Sequence, residues 1–519
     1  MPKTIGTSMI AVLAAALMSS SALAHRAVDP LPRQARHEGA YLPPYLAPPK
    51  VKSGKWTPLK AGFPGTSFPD TALVLTDGTV LMHDGCTSDW YRLTPDSKGS
   101  YVTGTWKKAA SMPSTYKPLY FSSAVLSDGR MIVEGGEYNS CNPVWTTLGA
   151  LYDPVSDKWS AVNPPTGWSS IGDAQSVVLS DGTYLQANCC TADAATASIS
   201  GNNVTWNILS AAKTGKADEH DEEGWTTLPG NTLLTVDANR DLNVGHNDVE
   251  IFSHSNDKWT GAGTTVDSVV DPGSHELGPA TLLPTGIVFQ AGATGHNDVY
   301  DTVSGKWATA PSFGSNDSAD GPAVVLPNGH ALFQVSPGVF GSPSHFYEAQ
   351  ANNLTKVIVK QVNEPASAGG QSSYEGRLLM LPTGQAFWTS DTGDIQLYTP
   401  KGHAKTGWLP TITSVPGTIT RGSTNNAVQG TQFNGFTDGG YYGDDAQMAT
   451  NFPLVRITNT GSGKVCYART HDFSSRGVSK KGDGGTAQFD VPNGCDTGAS
   501  NLEVVVNGIA SLPSAVTVN

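Results

Sequence analysis

Residues 120–159 read YFSSAVLSDGRMIVEGGEYNSCNPVWTTLGALYDPVSDKW. An apolar run, a Ser-Asp-Gly turn, a second apolar run and Gly135-Gly136 come first. A loop, a run ending Leu151-Tyr152-Asp153, a short turn and a run carrying Trp159 follow. Period-two runs separated by turn residues predict four short antiparallel strands. The pattern recurs. Trp56, Trp106, Trp159, Trp206, Trp259 and Trp307 each stand near the end of such a unit. They lie about 50 residues apart, a repeat length diagnostic of stacked or radial sheets. One such sheet cannot bury both of its faces, so neighbours must cover it.

Working outward, each unit is marked by its first turn: FPDTALVLTDG, YFSSAVLSDG, GDAQSVVLSDG, EEGWTTLPGN, HELGPATLLPTG, ADGPAVVLPNG and SYEGRLLMLPTG. The turns close at Gly78, Gly129, Gly182, Asn231, Gly286, Gly329 and Gly384. The expected architecture is all-β, a seven-bladed kelch-type β-propeller over 51–408. The last unit lacks a closing Trp strand, and Gly54-Lys55-Trp56 lacks a unit. Pairing the two would remove the ring's free edges. The sixth unit is irregular, with HFYEAQANNLTKVIVKQ where its Trp strand should be. Over 409–519 the alternating runs predict a small immunoglobulin-like β-sandwich.

The chain has 519 residues, a net charge of −13, 15% charged residues, 57 Gly and 34 Pro. Few charges and many turn formers suit an exported all-β protein. The acidic balance argues against nucleic acid and anionic membrane as partners. Residues 1–24 read as a signal peptide: Lys3, then an apolar core at 9–18, then Ala22-Leu23-Ala24. That core is too short to span a bilayer, so a secreted or periplasmic chain without a membrane anchor is expected. Residues 25–50 read as an extended, Pro-rich lead-in. Cys466 and Cys495 are expected to pair. Cys86, Cys141, Cys189 and Cys190 leave three connectivities open, one of them an adjacent Cys189–Cys190 bridge.

In a propeller, residues entering the innermost strands rim one mouth of the central channel. Here those are Asp70, Tyr120, Asp173, Glu222 with Glu223, Glu276, Asp320, and Tyr374 with Glu375. Only the second unit supplies no carboxylate. Crowded carboxylates repel, so a proton or a cation must relieve them. Either outcome serves acid–base chemistry. The competing reading is that they cap backbone N–H groups. Asp237, Asn239, Asp241, Asn243 and Asp248 space oxygen donors like a calcium loop, but Leu242 occupies its turn glycine. GHNDV occurs at both 245–249 and 295–299, which favours a structural turn.

Blade pattern, ring closure and trailing β-sandwich resemble the galactose oxidase-like family of secreted kelch propellers, whose C-terminal domain is an early-set immunoglobulin-like fold. The resemblance covers about 51–519. It implies one copper at the channel mouth, held by two tyrosines and two histidines, with one tyrosine cross-linked to cysteine. By resemblance Tyr152 stands for the radical tyrosine, Tyr374 for the second and His471 for the C-terminal histidine. Glu375 replaces the histidine after the second tyrosine. No cysteine lies in Tyr120-Phe121-Ser122, so the thioether radical is not expected.

The first expectation is a protein that binds and cleaves extracellular carbohydrate, with Glu276, Asp320 and Glu375 as acid/base groups and Tyr374 and His471 assisting. Asp70, Tyr120, Asp173, Glu222 and Glu223 would bind substrate. The second is an oxidase of small alcohols or aldehydes with one divalent ion on Tyr152, Tyr374, Glu375 and His471. The third is a non-catalytic glycan-binding or adhesion module.

Overall fold

A computed structural model describes residues 54–239, 248–442 and 448–519. The expected signal peptide and lead-in lie outside the described residues, as does most of the calcium-like loop. No helix among the described residues is long and apolar enough to cross a membrane.

Among the described residues, six four-stranded sheets and one five-stranded sheet follow one another along the chain. All their pairings are antiparallel, as short turn-linked strands require. Their first strands are Pro69–Val74, Ser122–Val125, Ser176–Val178, Thr226–Leu228, Ala280–Leu282, Ala323–Val325 and Gly376–Met380. These strands are almost wholly buried. Gly376–Met380 packs against both Ala323–Val325 and Pro69–Val74, so the last sheet meets the first. Lys55–Pro58 forms the outer strand of that last sheet, with Trp56 opposite Tyr398.

The repeated tryptophans have a physical role. Trp106, Trp159 and Trp206 donate their indole N–H to the carbonyls of Ala61, Ala110 and Asn163 in the segment leaving the preceding sheet. Trp56 does the same to Asn363. These four outer strands thus staple their sheets to the ones before, half-burying a large ring and satisfying its one donor. In the irregular sixth sheet, Val357–Gln361 serves as the outer strand without a Trp.

The C-terminal part forms one nine-stranded sheet. Val465–His471 pairs through its first half with Leu454–Asn459 and through its last three residues with Gly484–Asp490. A strand that changes partner in this way turns a corner between two layers. This part caps the turn ends of the inner strands. Thr470 N donates to Thr76 O at 3.1 Å, and Arg476 N to Ser180 O at 2.9 Å. Gly78, at φ +73°, leaves room for the Tyr467 ring, which lies 2.5 Å from where a Cβ would sit. From this cap a segment rises into the ring. Gly440–Tyr441 adds a fifth strand to Ala323–Val325. Asp438 accepts from Thr227 N at 3.1 Å, and Tyr442 OH donates to Tyr374 O at 2.7 Å.

Disulfides join Cys86 to Cys141 and Cys466 to Cys495. Cys189 and Cys190 are free thiols, so the adjacent bridge does not form.

Candidate functional site

The starts of the inner strands lie opposite the capped end, and they divide into two halves. On one side Glu222, Glu276 and Asp320 come from three successive sheets. Each places a carboxylate oxygen within 4.8 Å of the other two. Glu222 and Glu276 are buried and Asp320 half-buried. Glu222 and Asp320 hold left-handed backbone at φ 60° and 47°, and so does Tyr120 at 49°. Glycine would occupy such positions at less cost, and strain of about 1 kcal/mol or more persists where the side chain is needed.

On the other side an ion pair holds the wall. Arg377 donates to Asp70 Oδ1 at 2.9 Å and to the carbonyls of Tyr374 and Gly376 at 2.9 and 2.8 Å. Its guanidinium stacks on Tyr442 at 4.4 Å and faces Tyr120 at 5.3 Å. His83 Nδ1 lies 3.1 Å from Asp70 Oδ2. Burial works against ionised Asp70, but Arg377 and the His83 contact outweigh it and hold its carboxyl below the usual range. Asp70 is therefore held as the buried counter-ion of Arg377.

Tyr374 joins the halves. It is 4% exposed, and exposed Phe340 packs edge-on against it at 5.6 Å. Burial raises the Tyr374 hydroxyl well above the normal phenol range, helped by the charges of Glu375, Asp391, Tyr138 and Asp320. Glu375 accepts from Ser372 N at 2.8 Å. Burial still raises its carboxyl. Asp391 is pushed up further by burial and by Glu375 nearby.

Two expected residues do not reach this mouth. Tyr152 lies in the third strand of its sheet, and its hydroxyl donates to Asp157 Oδ1 at 2.8 Å. The tyrosine near Tyr374 is instead Tyr120, whose hydroxyl is raised by burial and by Tyr442, Asp391 and Tyr374. His471 sits in the cap, with Nδ1 2.9 Å from Asp472 and Nε2 3.2 Å from Asp490. Its neighbour Thr470 bonds Thr76, which lies past the far end of Pro69–Val74. That strand alone separates it from the mouth by roughly 15 Å or more. The segment that does rise through the ring is the one carrying Tyr442. The copper set implied by resemblance therefore does not assemble, and Tyr152, Tyr374, Glu375 and His471 do not fit one ion.

Glu223 also turns away. The consecutive acids Asp221, Glu222 and Glu223 serve three different neighbourhoods. Glu223 binds Lys216 Nζ at 3.0 Å, together with Asp237 at 3.1 Å, Glu250 at 3.0 Å and Asp218. Burial pushes Asp237 up to about 8 against the pull of Lys216. Glu223 and Asp218 are raised for the same reason. Asp221 accepts from the thiols of Cys189 and Cys190. Burial raises the Cys189 thiol, and the neighbouring Cys190, Asp221 and Asp173 add to it.

No family model matches the chain. A kelch-like protein, terF of Aspergillus terreus, is 26% identical over 189 residues, 34% of this chain and 38% of that protein. The chain thus spans well under half the length of the curated relative it matches. Among solved structures, YCF48 bound to D1 peptide aligns at 14% identity and a TM-score of 0.46, covering 68% of this chain and 99% of that one. YjhT aligns at 15% and 0.38, covering 58% and 99%. The chain holds a kelch-type β-propeller.

Proposed function

We propose that the chain is a secreted protein related to the galactose oxidase-like group, with a seven-bladed kelch propeller and an immunoglobulin-like C-terminal domain. It binds extracellular carbohydrate at the acidic channel mouth. One observation carries this reading: Glu222, Glu276 and Asp320 meet within 4.8 Å beside Tyr374. Acceptor oxygens so placed suit a ligand rich in hydroxyl donors, and exposed Phe340 offers an apolar face for a sugar ring. Two adjacent carboxyl groups, one buried and one half-buried, are also the minimum for glycoside cleavage. In this reading Glu276 and Asp320 are the acid/base pair, with Glu375 and Tyr374 flanking them.

The test is a panel of polysaccharides and oligosaccharides scored for binding and for new reducing ends. Wild type should bind at least one glycan, and Glu276→Gln with Asp320→Asn should lose it. Binding unchanged in that double variant, or no binding across the panel, defeats the reading. Metal content and peroxide release from primary alcohols, measured on the same preparation, test for an oxidase.

A further inference from the structure

Cys189 and Cys190 stand at the end of the second strand of the third sheet, Tyr184–Ala187. Asp221 stands in the loop before the fourth sheet. Backbone bonds fix both loops: Cys189 N donates to Ile171 O at 3.0 Å, and His220 N to Thr191 O at 2.8 Å. Cys189 Sγ lies 3.2 Å and Cys190 Sγ 3.7 Å from the same oxygen, Asp221 Oδ1. The three ligand atoms lie within 4.8 Å of one another. Cys190 adopts φ 66°, an uncommon state for a non-glycine residue.

We propose that Cys189, Cys190 and Asp221 form a binding site for one thiophilic divalent cation of the zinc class. Metal–sulfur bonds of ~2.3 Å and metal–oxygen bonds of ~2.0 Å at tetrahedral angles put S and O ~3.5 Å apart. The two measured separations bracket that value. Two thiolates and a carboxylate favour zinc over calcium or magnesium, which select oxygen. Disulfide formation does not compete well. Adjacent Cα atoms are ~3.8 Å apart across a trans peptide, short of the ~4.4 Å minimum of ordinary disulfides. The remote pair Cys86–Cys141 has a Cα–Cα distance of 5.2 Å and is bridged. Cys189 is buried and Cys190 half-buried, so the cation enters from the Cys190 side and keeps an open position there. Binding exchanges two S–H protons for two S–metal bonds, releases both protons, and leaves the oxidation state unchanged.

Cobalt(II) is the direct probe, because a thiolate-to-cobalt charge-transfer band reports sulfur ligation that carboxylates alone cannot give. The full chain should take up one equivalent with that band, and zinc should displace it. Zinc should also protect the two thiols from iodoacetamide. Cys190→Ala removes a half-exposed ligand with little effect on folding. It should weaken zinc binding by more than the ~10-fold typical of losing an outer partner. Asp221→Asn should weaken binding while keeping the band. The proposal is overturned if wild type gives no band, if zinc leaves alkylation unchanged, if Cys190→Ala binds as wild type does, or if mass spectrometry finds Cys189 and Cys190 oxidised to a disulfide.

Discussion

Lys216→Met removes the one cation that, among the described residues, bridges a buried group of four carboxylates. The Lys216 side chain is fully buried, and Nζ lies 3.0 to 3.1 Å from Glu223, Asp237 and Glu250. Methionine keeps most of the side-chain volume. The loss is therefore electrostatic, apart from a weak contact with the Trp259 ring at 5.6 Å. Breaking a buried ion pair on one side costs about 3–5 kcal/mol. The sign with pH follows from Asp237, raised from 3.8 to about 8 by burial. A raised acid keeps its proton in the folded chain after the unfolded chain has lost it. Wild-type stability from this group is thus greatest below about pH 4 and falls as pH climbs towards 8. Without Lys216 the acids rise further and the fall steepens. The variant should lose about 3–5 kcal/mol at pH 9 and under about 2 kcal/mol at pH 5, where protons stand in for the ammonium. With a urea m-value of roughly 3 kcal/mol/M, the pH 9 midpoint moves by about 1 M or more. Tryptophan fluorescence in urea at both pH values measures it. Equal losses at the two pH values, or none, would refute the reasoning.

Three further outcomes follow from the same geometry. Arg377→Met strands buried Asp70 against His83 and should lower stability by about 3–5 kcal/mol at pH 8, less at pH 5, by urea titration. Gly78→Ala meets both a positive φ and the Tyr467 ring. It should destabilise by at least about 1 kcal/mol and make the C-terminal part exchange amide hydrogens faster. Tyr442→Phe loses the bond to the Tyr374 carbonyl, should cost about 1 kcal/mol, and should alter ligand binding at the mouth more than it alters the fold, as titration calorimetry would show.

Repeating units were legible because tryptophan spacing and turn glycines report local strand and turn chemistry. The closing strand at Trp56 was legible for the same reason, since an unpaired strand and an incomplete sheet each need a partner. Glu222, Glu276 and Asp320 could be aligned because each precedes a recognisable first strand. Glu223 could not be told from Glu222, since adjacent residues in a loop aim at different neighbours. Its partner Lys216 carries no signature of burial in the sequence. Tyr152 was misplaced because Leu-Tyr-Asp recurs as packing, whereas Tyr120 owes its place to a left-handed turn that no pattern announces. His471 follows a threonine as expected, yet the segment that enters the ring is the earlier Asp438–Tyr442. Arg377 was missed because an arginine inside an apolar run looks like an interruption. Its acceptor, Asp70, lies more than 300 residues away.

The central claim is that the mouth acids act together on a ligand. Its most direct test is isothermal titration of the best glycan from the panel into wild type and into Glu222→Gln/Glu276→Gln/Asp320→Asn, with urea midpoints confirming that both are folded. Saturable binding to wild type and a loss of at least about 100-fold in the triple variant are the expected result, since three acceptors at about 1 kcal/mol each are removed. Equal affinity in the two folded proteins would contradict it.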